Sequence, residues 1–296
     1  MSHHIVQRAS ELLFQVPEEF EGRSSGFIRA AAVDEAGGSV QMGFGICSLE
    51  PGGTIDAHVH SFEESFYLLE GEVEIDTNEG SVALRPGDYG VVPVGGTHGW
   101  RNVGRASARW ADMLAPMPRA RFANDTYFTD PIAGRVAELV DARDPRNLSF
   151  GHIDDANMDP TRQTQDMLAV SASMRTALLV YSGITVKMMV DSDLGAQLST
   201  MFMVQYEPNG LAGAHDHPLE EAYLILEGDV EATFDDASYR LVPGDIAWAG
   251  VGCVHSFANV GEGIVRWLET QAPAPPARHS YRFARDWQYL TEKLGE

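Results

Sequence analysis

Cysteine is scarce in this 296-residue chain: Cys47 and Cys253 are the only two, and neither belongs to a C-x-x-C pair. That excludes a disulfide framework and argues against a thiolate zinc site. Basic residues are also few, 21 Lys and Arg against 43 Asp and Glu, for a formal charge of −22. A surface this acidic repels phosphate backbones, so nucleic acid is not an expected partner. No segment approaches the roughly 20 apolar residues that span a bilayer. The opening MSHHIVQRASELLFQV lacks the apolar run and small-residue cleavage site of a secretory signal. The expectation is a cytoplasmic, soluble protein with no membrane partner. Apolar residues make up 44% of the chain, enough to build a core in one large domain or two ordinary ones.

What the chain does have is a repeat. E-P-G-G at 50–53 faces E-P-N-G at 207–210, and H-V-H-S-F-E-E at 58–64 faces H-D-H-P-L-E-E at 215–221. R-P-G-D at 85–88 faces V-P-G-D at 242–245, and H-G-W-R-N-V-G at 98–104 faces H-S-F-A-N-V-G at 255–261. The pairs 58 and 215, 71 and 228, 98 and 255 all differ by 157, without a gap, and the match runs on to Arg109-Trp110 and Arg266-Trp267. One domain has been duplicated.

Inside each copy the texture is β. Runs such as SFYLLEGEVEI and EAYLILEGDVEATF are rich in β-branched and aromatic residues. Gly, Pro, Asn and Asp punctuate them about every ten residues, the pattern of an antiparallel barrel or sandwich. The reading is therefore all-β: two tandem antiparallel β-barrel domains at 1–118 and 151–275. Between them, 119–150 is expected to hold a short connecting helix, with apolar spacing at Ile132, Val136, Leu139 and Val140 behind Asp130-Pro131. The polar stretch 152–170 reads as a loop and APAPPARHS at 272–280 as a proline-rich strap. The tail, 276–296, ends in a short C-terminal helix.

Gly52, His58, His60, Glu64 and Gly71 spell G-x5-H-x-H-x3-E-x6-G, and Gly87, Pro93, Gly95, His98 and Asn102 spell G-x5-P-x-G-x2-H-x3-N. In this the chain resembles the cupin superfamily, whose two sequence motifs these are, and specifically its bicupins. The second half matches with two departures, Asn209 for the leading glycine and Gly250 for the proline. The resemblance implies a jelly-roll barrel in each half. Among bicupins, quercetin-type dioxygenases and oxalate decarboxylases share this ligand set but are longer, and none of their characteristic sequence surrounds the first motif. No named activity is carried over.

The residues support a metal site on their own terms. Positions two apart in a strand share a face, so His58 and His60 project together. Glu64 keeps that parity where Glu63 breaks it, and Glu221 is chosen over Glu220 in the same way. His98 arrives from another strand. The candidate ligands are His58, His60, Glu64 and His98, then His215, His217, Glu221 and His255. An isolated H-x-H is more often an ordinary surface pair, but here six of ten histidines fall on ligand positions. His3, His4, His152 and His279 fit no such spacing. Three imidazoles and a carboxylate suit a divalent transition metal, iron or manganese first, with Ni, Zn, Co and Cu open, up to two per chain.

Residues that differ between the copies are the candidates for a substrate pocket: Phe44, Ile46 and Trp100 in one, Met201, Met203, Trp248 and Phe257 in the other. Arg109 and Arg266 are added for an anionic substrate, although a structural role for both is favoured. Cys253 reads as a small turn-side hydrophobe rather than a soft neighbour of the metal. The leading functional expectation is a metal-dependent dioxygenase acting on a small organic acid, a phenolic or an enolisable compound. A redox-neutral metalloenzyme and a non-enzymatic small-molecule binder are the alternatives. A homodimer is expected from open barrel edges.

Overall fold

The computed structural model describes residues 3–133, 135–141, 149–162, 183–275 and 282–283. Within them almost all regular structure is β-strand, and helix is limited to short turns such as Ala120–Asp125 and Asp155–Met158. The first half is built on the 18-residue strand Gly43–His60. It pairs with Ala108–Ala115 along Gly43–Leu49 and with His98–Arg101 near its end, where His58 faces His98. The bend between these stretches needs a left-handed residue: Gly52 has φ 74° and its counterpart Asn209 has φ 67°. Asn is among the few side chains that tolerate this region, so the first departure from the motif preserves the turn. In the second half that turn separates two strands, Thr200–Tyr206 and Leu211–Asp216. They lie in two antiparallel sheets of six and five strands.

The strands of the wall bury both faces because they serve two cores. Along Gly43–His60 and Ala108–Ala115, Cys47, Leu49 and Trp110 fill the first barrel while Phe44, Ile46, Ala111 and Met113 point the other way. In the second half Phe202, Val204, Tyr223 and Trp267 fill the barrel, and Met201, Met203, Leu224, Trp248 and Leu268 face outward. The outward sets meet in one continuous apolar cluster. Alternation along a strand thus makes two barrel cores and an interface from the same residues.

The domains are also laced together. His4–Gln7, at the head of the chain, pairs with Ile246–Ala249 of the second barrel. Gly250 N donates to His3 O at 2.7 Å, and a Cβ at Gly250 would meet the Trp248 ring at 2.8 Å. Proline, which the motif has here, would remove that donor and crowd the ring, which accounts for the second departure. Phe150–His152 runs back onto Asp88–Val92 of the first barrel. Reciprocal carboxylates pin the interface. Glu63 accepts from Ser199 Oγ at 2.5 Å, Gln197 N at 2.7 Å and Leu198 N at 3.3 Å. Glu220 accepts from Ser39 Oγ at 2.5 Å, Val40 N at 2.9 Å and Gln41 N at 3.2 Å.

The expected connecting helix over Ile132, Val136, Leu139 and Val140 is not found among the described residues; the helical turn Ala120–Asp125 ends before it. Around Leu139 the chain instead forms the strand Glu138–Leu139, parallel to Ser81–Leu84. Val136 and Leu139 are 92% and 69% exposed, so no core rewards a helical face there, whereas a free sheet edge offers backbone partners. The loop expected at 152–170 includes a capped turn, with Asp154 accepting from Asn157 N; 163–170 lie outside the described residues. So do most of the proline-rich strap and the C-terminal helix expected beyond Phe283.

Glu63→Ala and Glu220→Ala should each lower stability by about 2–3 kcal/mol, because buried donors are left unsatisfied across the interface. Urea melts of the two variants measure this directly.

Candidate metal centre

The site arises where the strand Gly43–His60 ends against two neighbours. His58 and His60 are its last inward residues, Glu64 follows on Glu63–Glu70, and His98 opens His98–Arg101. The ring centroids lie 4.1 Å apart for His58 and His98, 4.9 Å for His60 and His98, and 6.0 Å for His58 and His60. The second half repeats this: 4.3 Å for His215 and His255, 5.0 Å for His217 and His255, and 6.0 Å for His215 and His217. In each trio one ring nitrogen per residue falls within 4.8 Å of the others.

Each ring is held by the same device. His58 Nδ1 donates to Asp56 O at 2.8 Å, His60 Nδ1 to Phe62 O at 2.6 Å and His98 Nδ1 to Gly96 O at 3.0 Å. In the second half the acceptors are Gly213 O at 2.8 Å, Leu219 O at 2.9 Å and Cys253 O at 3.0 Å for His215, His217 and His255. A carbonyl can only accept, so every Nδ1 carries the proton and every Nε2 lone pair is aimed inward.

Glu64 faces this centre and Glu63 does not. Glu64 Oε2 lies 3.2 Å from His60 Nε2 and 3.3 Å from His98 Nε2. Glu221 Oε2 lies 2.8 Å from His217 Nε2 and 3.2 Å from His255 Nε2. Ligands about 2.1 Å from one ion at right angles are about 3.0 Å apart, so these spacings fit neighbouring ligands. His98 Nε2 and His255 Nε2 are buried without a hydrogen-bond partner. Burying such atoms unmatched is costly, and one ion in each half would satisfy them. The donor set and the orphaned nitrogens fit a divalent transition metal in each half.

Electrostatics agree. Burial, then the neighbouring His98, pushes His58 down to about 3, and burial with His255 does the same to His215, also to about 3. Both are neutral at pH 7, as ligation requires. Burial alone would raise Glu64, but the imidazoles of His60 and His98 beside it carry it below the usual carboxylate range. Glu221 is likewise carried well down by His217 and His255 against the effect of burial.

The copies differ around this common core. Glu221 is held by Tyr223 Oη and Gln271 Nε2, where the first half has Phe66 and Leu114 at the corresponding places. The first centre opens into a cavity of about 550 Å³, lined near the metal residues by Phe20, Phe62, Trp100 and Leu114.

Most of the pocket residues proposed from sequence lie elsewhere. Phe44, Ile46, Met201, Met203 and Trp248 occupy the outward face of their strands and form the domain interface; the parity that sends His58 and His60 inward does not extend past the bend to them. Trp100 lines the first cavity. Phe257 packs in the second barrel's core. Arg109 reaches Glu70 at 3.7 Å and stacks on Phe14, and Arg266 is engaged by Gln205 and Asp155; neither lines the first cavity. Cys253 is buried, its thiol pushed up to about 12 by burial, while its carbonyl holds His255.

Sequence reasoning passed over Arg29 and Asp112, a half-buried guanidinium on a buried carboxylate in the cavity, with contacts of 2.7 and 2.8 Å. It also passed over a third grouping in which His4, Asp235 and Cys253 bring potential ligand atoms within 4.8 Å. Neither has a motif: each joins strands far apart in the chain.

Comparison with known proteins accords with this geometry. The cupin domain family model matches residues 45–114 and 202–270. Protein SchB of Streptomyces halstedii is 32% identical over 114 residues, 38% of this chain and 83% of its own length. Among solved structures, salicylate 1,2-dioxygenase from Pseudoaminobacter salicylatoxidans superposes with TM-score 0.66 at 16% identity, covering 99% of this chain and 83% of that one. Oxalate decarboxylase from Lactobacillus farciminis gives 0.61 at 14% identity, covering 99% and 94%. At such identities the likeness is one of fold.

The shifted groups set an acid limit for the metal-free chain. Between the unfolded histidine value of about 6.5 and the folded value near 3, the unfolded state binds protons that folded His58 and His215 refuse, so stability falls with falling pH. Glu269, raised by desolvation, opposes part of this above about 4.5, the unfolded carboxyl range. Below it Glu64 and Glu221 add to the loss. Thermal melts of the chelated protein should show Tm declining below about pH 6.5 and more steeply below about 4.5.

Proposed function

Because the chain belongs to the cupin family and carries two cupin domains, we propose that it is a metal-dependent enzyme of dioxygenase type acting on a small organic acid, phenolic or enolisable compound. The observation that carries the reading is the set of six Nδ1-to-carbonyl bonds, which aims two groups of three Nε2 atoms at common points. The ligands are assigned as His58, His60, Glu64 and His98, and His215, His217, Glu221 and His255. A bound iron or manganese ion would supply Lewis acidity and, for iron, a redox partner for oxygen.

The chain's own residues do the rest. The backbone carbonyls fix ring orientation before any substrate arrives, so little reorganisation is left to the reaction. Phe20 sits edge-on to His58 at 5.2 Å, and Phe62 stacks on His60 at 4.0 Å. These rings shield the ligand histidines from water and give the first cavity an apolar wall for an aromatic or enolic body. Glu64 lacks the tyrosine and glutamine that hold Glu221, and it lines the open cavity with His58 and His60. We therefore assign turnover to the first half. The fold likeness to salicylate 1,2-dioxygenase supports this class. Redox-neutral chemistry is the second reading, favoured by the comparable fold likeness to oxalate decarboxylase, TM-score 0.61 against 0.66.

The reading extends to a cytoplasmic protein taking a small-molecule substrate, with domains near 1–118 and 151–275. It also includes a homodimer, for which Ile184–Val190 and Ala237–Leu241 are end strands of their sheets among the described residues. Among the described residues no helix is long and apolar enough to cross a membrane.

Oxygen uptake by the iron-loaded protein over catechols, gentisate, diketones and flavonols tests the class. His58→Ala should cost about 100-fold or more in turnover, while His215→Ala should retain most of it. No uptake by the iron form, with turnover by a zinc or manganese form, would hand the assignment to the redox-neutral reading.

A further inference from the structure

The duplication supplies an internal comparison for the first cavity. Arg29 faces Cys47 across its strand pair, and Cys47 faces Trp110, so the three form one row across adjacent strands. All three line the cavity, together with Asp112. In the second barrel the same row reads Val186, Val204 and Trp267. Gly45 makes room for the guanidinium: a Cβ there would meet Arg29 Cζ and Nη2 at 2.8 Å. Its counterpart is Phe202, which fills that space in the second core. A buried ion pair is seldom worth more to stability than the apolar side chains that can replace it. The second barrel, with valines in this row, shows that the fold does not require the pair.

The two tryptophans sharpen the point. Trp267 Nε1 donates to Glu269 Oε2 at 2.9 Å. The residue matching Glu269 in the first barrel is Asp112, one methylene shorter. Its oxygens are taken by Arg29 Nε and Nη2, with the Cys47 thiol at 3.3 Å. Trp110 is 1% exposed and its Nε1 has no partner. Where the second barrel places a carboxyl oxygen of its own against the indole, the first leaves a buried donor without a partner, on a residue that lines the cavity.

We propose that Arg29 and Trp110 anchor the carboxylate of a monocarboxylate ligand whose apolar body extends toward His58, His60 and His98. Arg29 Nη1 is the guanidinium nitrogen that Asp112 leaves over, and the Trp110 indole is the second donor. Trp110 lies four residues along its strand from Leu114, the partner of Glu64. That separation is about 13 Å, and with side chains entering from both ends it suits a compound the size of a single ring. Trp100 stacks on Trp110 at 4.9 Å, and Phe27 lies beyond it at 6.1 Å, so the body meets flat aromatic walls. Arg29 is the sole lysine or arginine in the lining, and Glu19, Asp34 and Glu35 stand around the mouth. A polyanion is disfavoured there; a single carboxylate is not. The inference rests on the assignment of the first half as the reacting one.

The test is binding of benzoate and of its uncharged isostere benzamide to the full, metal-loaded chain, read by calorimetry, with metal content measured on every sample. Benzoate should bind at least about tenfold more tightly than benzamide. Trp110→Phe should weaken benzoate about fivefold or more. Arg29→Met with Asp112→Asn should abolish the preference while leaving metal content unchanged. Trp110→Phe alone decides the matter if the double variant does not fold. Equal binding of the two probes, no benzoate binding, or a preference that survives in both variants overturns the proposal. A chain that prefers benzoate but holds no metal would sink the metal assignment and leave the anchor standing.

Discussion

The hydrogen bond from each ligand-position histidine to a carbonyl two residues away is the constraint on which the sites depend. An imidazole can present either nitrogen, and three free rings on a barrel wall would settle into many combinations. Tying each Nδ1 to the backbone leaves one tautomer and a narrow range of ring planes. The carbonyls belong to turns and to register shifts within the strands, so the barrel itself becomes the jig. Gly96, Gly213 and Cys253 serve as backbone acceptors, not for their side chains. The turns that bring them into place need left-handed residues such as Gly95 and Gly252.

The duplicated barrels keep this constraint and vary what surrounds it. Glu221 is bound by Tyr223 and Gln271, and Glu269 accepts from Trp267 where the matching Asp112 pairs with an arginine. The first barrel spends its volume on a cavity and a charge pair instead. These differences follow from a few substitutions on inward-facing positions: Phe66 for Tyr223, Gly45 for Phe202, Arg29 for Val186. The outward faces cannot vary so freely, because Phe44, Ile46, Met201 and Met203 interlock across the interface. Two barrels bound so tightly can diverge inside while staying fixed outside. A silent second centre and a working first one is the division of labour this arrangement favours.

Much of this was legible in the sequence because its carriers are local. His58, His60 and Glu64 lie within seven residues on alternating positions, and the constant offset of 157 carries each candidate position to the second half. The choice of Glu64 over Glu63 needed only strand parity, and Glu63 proved to have a task of its own across the interface. The wall residues were misread for a reason that is also physical. Differences between the copies mark both pocket and interface, and a strand buried on both faces does not say which side faces the cavity. The apolar spacing at Val136 and Leu139 suggested a helix, but an open sheet edge beside Ser81–Leu84 offered better backbone partners. Arg29 and Asp112, 83 residues apart, carry no signal that any local pattern could register.

Metal analysis of the purified chain, expressed with iron and manganese supplied, bears most directly on the two centres. Two ions per chain, falling to one in His98→Ala and in His255→Ala separately, is the predicted result. A content near zero in the parent chain, or one unaffected by either substitution, would contradict the assignment of both sites.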